Sequence, residues 1–261
     1  MSEDDLVIRR PVAIPSGDEV IQAVVYERRT GAGPRPAVVV SPARLRNIES
    51  WEWLSRALAA RGYVVVAQRF RDGAVRYQLR DVEDVSAAIA FAGGLAEVDA
   101  SRIGVVGHSR GGSASLRAAA IDARVRSTVA LSPPVDIARY VRTLRDYAPT
   151  RYELMVAGYG GTPDDDPDYY RTIAPLTYAD RIKTPVLLIH GLADMVAPPE
   201  QSRWMHEALL KSGNTRARLE LLPGLGHFFE EGGGGYRVEK VVELTVDWLD
   251  ETLIRYEGGM K

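Results

Sequence analysis

Ser109 stands in the stretch VVGHSRGGSASLRAAA (105–120), with glycine two positions before it and glycines after it at 111 and 112. A serine framed this way is either part of an ordinary turn from strand to helix or a nucleophile exposed on a sharply bent chain. Gly107-His108-Ser109-Arg110-Gly111 fits the pattern G-x-S-x-G, between an apolar run and a run of small residues. That context makes it an elbow. The bend holds its serine in a strained conformation, and side chains at the flanking glycine positions would collide with neighbouring backbone. The helix that follows directs its partial positive charge at the hydroxyl.

A serine hydroxyl needs a base, and the histidines are His108, His190, His206 and His227. His108 lies inside the elbow, where it projects away from the serine Oγ. His190 ends an apolar run before Gly191 and reads as structural, and His206 falls in a helical segment as a solvated side chain. His227, in LLPGLGHFF, follows the last apolar run at the edge where the elbow emerges, and is the expected base. An acid must fix its tautomer and stabilise the imidazolium. Asp194, in HGLADMVAPPEQS, gives the chain order Ser, Asp, His, which favours it over its rival Asp136 in SPPVDI. Either aspartate is otherwise a helix cap or a turn residue. The oxyanion needs two N–H donors. The backbone of Arg110 is one; Ala43 is the other, because Pro42 has no N–H, with Arg44 behind it.

These side chains need a scaffold to bring them together. Alternating segments 6–14 and 20–26 around PSGD predict an antiparallel hairpin. Apolar runs at 36–41, 63–68, 102–107, 126–132, 185–190 and 217–222 lack polar alternation, as strands covered on both faces do. Helical segments at 49–61, 79–89, 110–121, 199–211 and 237–254 lie between or after them. The expectation is an α/β fold in one domain over 1–261, an eight-stranded mostly parallel sheet flanked by helices. The interval 133–184 breaks the rhythm and carries seven of the twelve tyrosines. It reads equally as a cap-like insertion over the site or as helices packing tyrosines onto the sheet edge. EGGGGY (231–236) reads as a flexible loop.

Composition excludes some chemistry. With no cysteine, disulfides, thiol catalysis and cysteine-ligated zinc are ruled out. The net charge of −2 gives no reason to expect a nucleic-acid partner, and no apolar run is long enough for a membrane span. The start, MSEDDLVIRRPVAIP, lacks the pattern of a signal peptide, so a cytoplasmic protein is expected. Arginine outnumbers lysine 29 to 4, which coding bias explains as readily as an anion site. Five arginines (Arg44, Arg46, Arg69, Arg71 and Arg110) fall where they would border the cleft and hold a substrate carboxylate.

Taken together, GHSRGG, TPVLLIHGLADMVAPPEQS and PGLGHFF resemble the α/β-hydrolase family over nearly the whole chain. The likeness is to the catalytic domain of prolyl-oligopeptidase-type peptidases and to dienelactone-hydrolase-like esterases. That resemblance implies Ser109 as nucleophile, Asp194 as acid and His227 as base, with no metal and no organic cofactor. Two features depart from it. Ser41-Pro42 replaces the usual His-Gly, and too few residues precede the third strand for the propeller that gates true oligopeptidases. Three functions compete: hydrolysis of a small-molecule carboxylic ester, a serine peptidase or acylaminoacyl-type amidase acting on short peptides, and a non-catalytic binding protein on the same scaffold. The sequence is silent on oligomeric state.

Overall fold

A computed structural model describes residues 6–31, 33–71, 75–231 and 237–255. Strands β1 (Val7–Ser16) and β2 (Glu19–Arg28) form the expected hairpin, closed by Gly17 at φ +61° and Asp18. Six more strands follow: β3 (Arg35–Ser41), β4 (Val64–Gln68), β5 (Val98–His108), β6 (Val125–Leu131), β7 (Val186–Gly191) and β8 (Ala217–Leu222). The sheet order is β1-β2-β4-β3-β5-β6-β7-β8, antiparallel through β2–β4 and parallel from β4 onward. The eight-stranded, mostly parallel α/β sheet is therefore as expected. The start of β5 is not. It begins at Val98, ahead of its apolar run, and its pairing with β3 shifts register between Arg35 and Ala37.

Valine-rich strands serve two cores because successive side chains point to opposite faces. Val39, Val66 and Val105 pack under α2 (Gln78–Gly93), α3 (Arg110–Ile121) and α7 (Glu200–Lys211), through residues such as Ile89, Leu116 and Met205. Val38, Val65 and Val106 face the other way, against Leu54 and Leu58 of α1 (Glu52–Arg61) and Trp248 of α8 (Val238–Leu249). Helix α8 continues through one π-helical turn, Asp250–Ile254. Among the described residues, no helix is long and apolar enough to cross a membrane.

The interval 133–184 forms α4 (Ile137–Tyr147), α5 (Pro149–Tyr159) and α6 (Pro167–Ile173), then a 3₁₀ stretch, Pro175–Arg181. Four of its tyrosines (140, 159, 169 and 170) are buried with Ile137, Val141, Leu144 and Ile173 in a small core of their own. These tyrosines therefore pack on one another, with Tyr159 and Tyr170 edge to face at 5.6 Å, and build the segment itself. Most of the EGGGGY stretch lies outside the described residues.

Candidate active site

Parallel strands from β4 onward place their carboxyl ends along one edge, where open α/β sheets bind ligands. Ser109 follows β5 at φ +52° and ψ −112°, a backbone conformation that side chains rarely adopt. Its N–H donates to the Leu131 carbonyl at 2.8 Å, which ties the turn to β6. The glycines answer to contacts. A Cβ on Gly107 would sit 2.1 Å from the Gly111 carbonyl oxygen, and one on Gly111 would sit 2.2 Å from that of Ser41. The chain can bend this sharply only where those side chains are missing.

His227 lies in the turn after β8, and Asp194 in the turn after β7. The two turns are stitched together by hydrogen bonds from the Ala193 N–H to Leu225 and from the Leu192 N–H to Leu222, both 2.9 Å. Gly191 lets them meet, since a Cβ there would lie 2.2 Å from the Leu225 oxygen. His227 Nδ1 donates to Asp194 Oδ2 at 2.7 Å, and both residues are buried. That bond leaves Nε2 of the neutral ring as the acceptor. Among the described residues, no hydrogen bond joins Ser109 Oγ to His227.

The other histidines have separate roles. His190 donates from Nε2 to Asp194 Oδ2 at 3.1 Å and to the Ala197 carbonyl at 2.9 Å, and its Nδ1 accepts from Ser202 Oγ at 2.7 Å. The histidine expected to be structural therefore holds Asp194 in place; His190-Gly191-x-x-Asp194 is its only signal in the sequence. His108 donates from Nε2 to the His227 carbonyl at 2.8 Å, and burial first, with the second imidazole of His227 beside it, holds its pKa well below the ordinary histidine value. It anchors the His227 turn from beneath. His206 is half-buried rather than solvated, with its ring 3.3 Å from the Ala217 carbonyl. Asp136 caps α4, accepting from the Arg139 N–H at 3.0 Å.

Ala43 is buried, and among the described residues its N–H makes no internal hydrogen bond. The loop before it presses on the elbow, where the Ser41 and Pro42 oxygens face Gly111. Arg110 opens α3, and its side chain turns to Asp81 with bonds of 2.9 and 2.6 Å. Arg71 is buried against Asp84 at 2.7 Å and Glu83 at 2.9 Å. Those two arginines are engaged within the protein, which corrects the expectation that all five await a substrate. Among the described residues, no cluster of three or more His, Asp or Glu side chains is arranged to hold a metal.

Ser109 borders a small cavity of about 50 Å³, walled by Pro134, Ile137, Tyr140, Met155 and Ile173. A wider cavity of about 870 Å³ adjoins it, and Arg44, Tyr77 and Arg110 line both.

Comparison with known proteins agrees with this fold. Esterase LipC of Mycobacterium tuberculosis (strain ATCC 25618 / H37Rv) is 28% identical over 249 residues, covering 82% of this chain and 58% of the relative. The acylaminoacyl peptidase of Pyrococcus horikoshii superposes with a TM-score of 0.82 at 19% identity, over 98% of this chain and 43% of that one. A puromycin-hydrolyzing peptidase of Mycobacterium tuberculosis superposes at 0.73 with 22% identity, over 96% and 40%. This chain thus spans little more than half the length of LipC and less than half of either peptidase. The model of the prolyl oligopeptidase family matches residues 50–255, well over half of the sequence. With the elbow, the sheet order and that match in agreement, the chain belongs to the prolyl oligopeptidase family, on an α/β-hydrolase fold.

Proposed function

We propose that the protein is a serine hydrolase that cleaves carboxylic esters through an acyl-enzyme on Ser109. The observation that carries this reading is the strained Ser109 elbow on the same sheet edge as the buried His227–Asp194 pair. Ser109 Oγ attacks the carbonyl carbon while His227 Nε2 takes its proton; the tetrahedral oxyanion accepts from the N–H groups of Arg110 and Ala43. As the intermediate collapses, the bond to the alcohol oxygen breaks and His227 returns the proton to it. Water then repeats the sequence, freeing the acid and restoring Ser109. An Ser–His hydrogen bond open in the free enzyme closes as substrate displaces solvent.

The family and the fold neighbours favour a second reading, a peptidase or acylaminoacyl-type amidase with the same three residues. The ester reading rests on the small size of the cavity beside Ser109, whose lining mixes Pro134, Ile137, Met155 and Ile173 with Gln78, Asp81, Arg117 and Arg151, and which suits a compact acyl or aryl group better than an extended peptide. An amine must also be protonated as it leaves, and peptide cleavage relies on remote contacts that fix the chain. Two measurements test the proposal. Wild-type protein should be labelled by a fluorophosphonate and Ser109→Ala should not, with ester turnover falling several orders of magnitude. Labelling of the variant would place the nucleophile elsewhere. On a short-chain aryl ester and an aminoacyl anilide with matched acyl groups, kcat/KM should favour the ester well beyond its intrinsic advantage. Comparable rates would transfer the assignment to the peptidase.

A further inference from the structure

The wider cavity has a one-sided charge: five arginines line it, and none of its described lining residues is a carboxylate. Arg71 and Arg110 answer to Asp84, Glu83 and Asp81, so their charges are balanced from within. Arg44 and Arg46 differ. Among the described residues, neither has a carboxylate within ion-pair distance. Arg44 is half-buried, with Nη1 2.9 Å from Met155 Sδ and its guanidinium 5.7 Å from the Tyr77 ring centre. Arg46 lies 4.4 Å over the ring of Phe228, the residue after His227. A guanidinium lying on a ring keeps its in-plane N–H groups for an acceptor, in the fork that matches a carboxylate or phosphate.

The loop that presents them is itself unusual. Leu45 stands between the two arginines at φ +58° and is 87% exposed. A bulky residue in the left-handed region with its side chain in solvent gains nothing from packing there. It does set its two neighbours on the same cavity wall. That wall continues through Arg44, Tyr77 and Arg110 into the cavity beside Ser109.

We propose that Arg44 and Arg46 select substrates in which an anionic oxyacid group, a carboxylate or a phosphate, lies a few atoms from the scissile carbonyl. This inference rests on the Ser109 reading of the site, and its test separates the two. The probes are the p-nitrophenyl half-ester of glutaric acid, which keeps a free carboxylate, and its neutral methyl ester. Wild-type kcat/KM should favour the half-acid by about 10-fold or more at low ionic strength, and the advantage should shrink with added salt. In the double variant R44Q/R46Q the ratio of the two rates should fall at least tenfold; using the ratio cancels any general loss of activity. Glutarate and inorganic phosphate, compared as inhibitors of neutral-ester hydrolysis, identify which oxyacid fits better. Equal wild-type rates on the two esters, or a preference that survives in the double variant, would overturn the proposal and leave the hydrolase reading intact. If fluorophosphonate does not label wild-type protein, the hydrolase reading fails, and calorimetry with glutarate decides the anion site alone. Binding that the double variant lacks supports it, and no binding overturns it.

Discussion

Asp194 accepts four hydrogen bonds through two oxygens. Oδ2 takes His227 Nδ1 and His190 Nε2, while Oδ1 takes the N–H groups of Val196 and Ala197, each at 2.8 Å. Burial by itself would raise its pKa; the bonds from His190 and His227 outweigh burial and hold the carboxyl well below the usual carboxylate range. Asn at this position would turn an N–H toward His227 Nδ1 and impose the wrong tautomer. Asp194→Asn should therefore lose about four orders of magnitude in turnover. Asp136→Asn, which keeps a good cap on α4, should stay within a few-fold of wild type. Steady-state kinetics on the two variants decides the acid, and the reverse pattern would reassign it to Asp136. The depressed pKa also fixes a sign for stability. Because the folded value lies below the unfolded one of about 3.9, the stabilisation is fully present above that pH. It is lost as pH falls toward the folded value, at about 1.4 kcal/mol per pH unit. The stability gap between wild type and Asp194→Asn, read from urea midpoints, should accordingly narrow between pH 5 and pH 3.

At the scale of elements, the site depends on where β5 turns into α3 and on what crosses it. Gly111→Ala would drive a methyl group to within 2.2 Å of the Ser41 oxygen and 2.8 Å of the Pro42 oxygen. Backbone atoms cannot step aside as a flexible side chain would, so the elbow or the Ala43 loop must shift. A displacement of about 1 Å at reacting groups costs about 100-fold in rate. We expect at least that loss for Gly111→Ala, with stability lower by about 1–3 kcal/mol. Gly94→Ala, whose Cβ would meet nothing nearer than 3.5 Å, serves as the tolerated control. Equal activity in the two variants would remove the close-contact account of the elbow. The strands and helices that build this edge were legible because their apolar periods are clean, as in Val38–Val40 and in Leu54 and Leu58. Ser109, His227 and Asp194, the proposed triad, were picked out by motif and chain order. The interruption at 133–184 between the sixth and seventh strands was legible too, but the packing of its tyrosines was not, because they form a local core and such contacts leave no fixed spacing in the sequence. The second contact of Asp194 was hidden as well. A buried histidine at a strand end has the same sequence signature whether or not it touches the acid. The arginines divide for the same reason, since only three-dimensional contacts tell which carboxylates already claim Arg71 and Arg110.

Across the whole molecule, the last helix must be held against a sheet whose early strands lie far from it in sequence. Asp250, at the end of α8, is 2% exposed and joins two residues near the start of β4. It accepts from Tyr63 Oη at 2.9 Å and from Arg61 Nε at 2.8 Å. Burial first, and the bond to Asp250 second, push the Tyr63 phenol far above its ordinary pKa, so the hydroxyl remains a donor across the working range. Arg61 is half exposed, and solvent screens most of what its charge adds. The buried hydroxyl therefore decides the outcome. Asp250→Ala leaves Tyr63 Oη without its acceptor inside the protein, at a cost of about 1–3 kcal/mol. For a domain of this size each kcal/mol lowers Tm by about 2–4 °C, so a fall of roughly 2–12 °C is expected by calorimetry. Asp250→Asn retains an acceptor oxygen for Tyr63 and should fall less. Tyr63 enters β4 at the amino end of the parallel strands, on the opposite edge of the sheet from Ser109. Ester turnover at 25 °C should accordingly match wild type in both variants. A Tm unchanged in Asp250→Ala would show that the C-terminal helix is held by its apolar face alone, through Val241, Trp248 and Leu249.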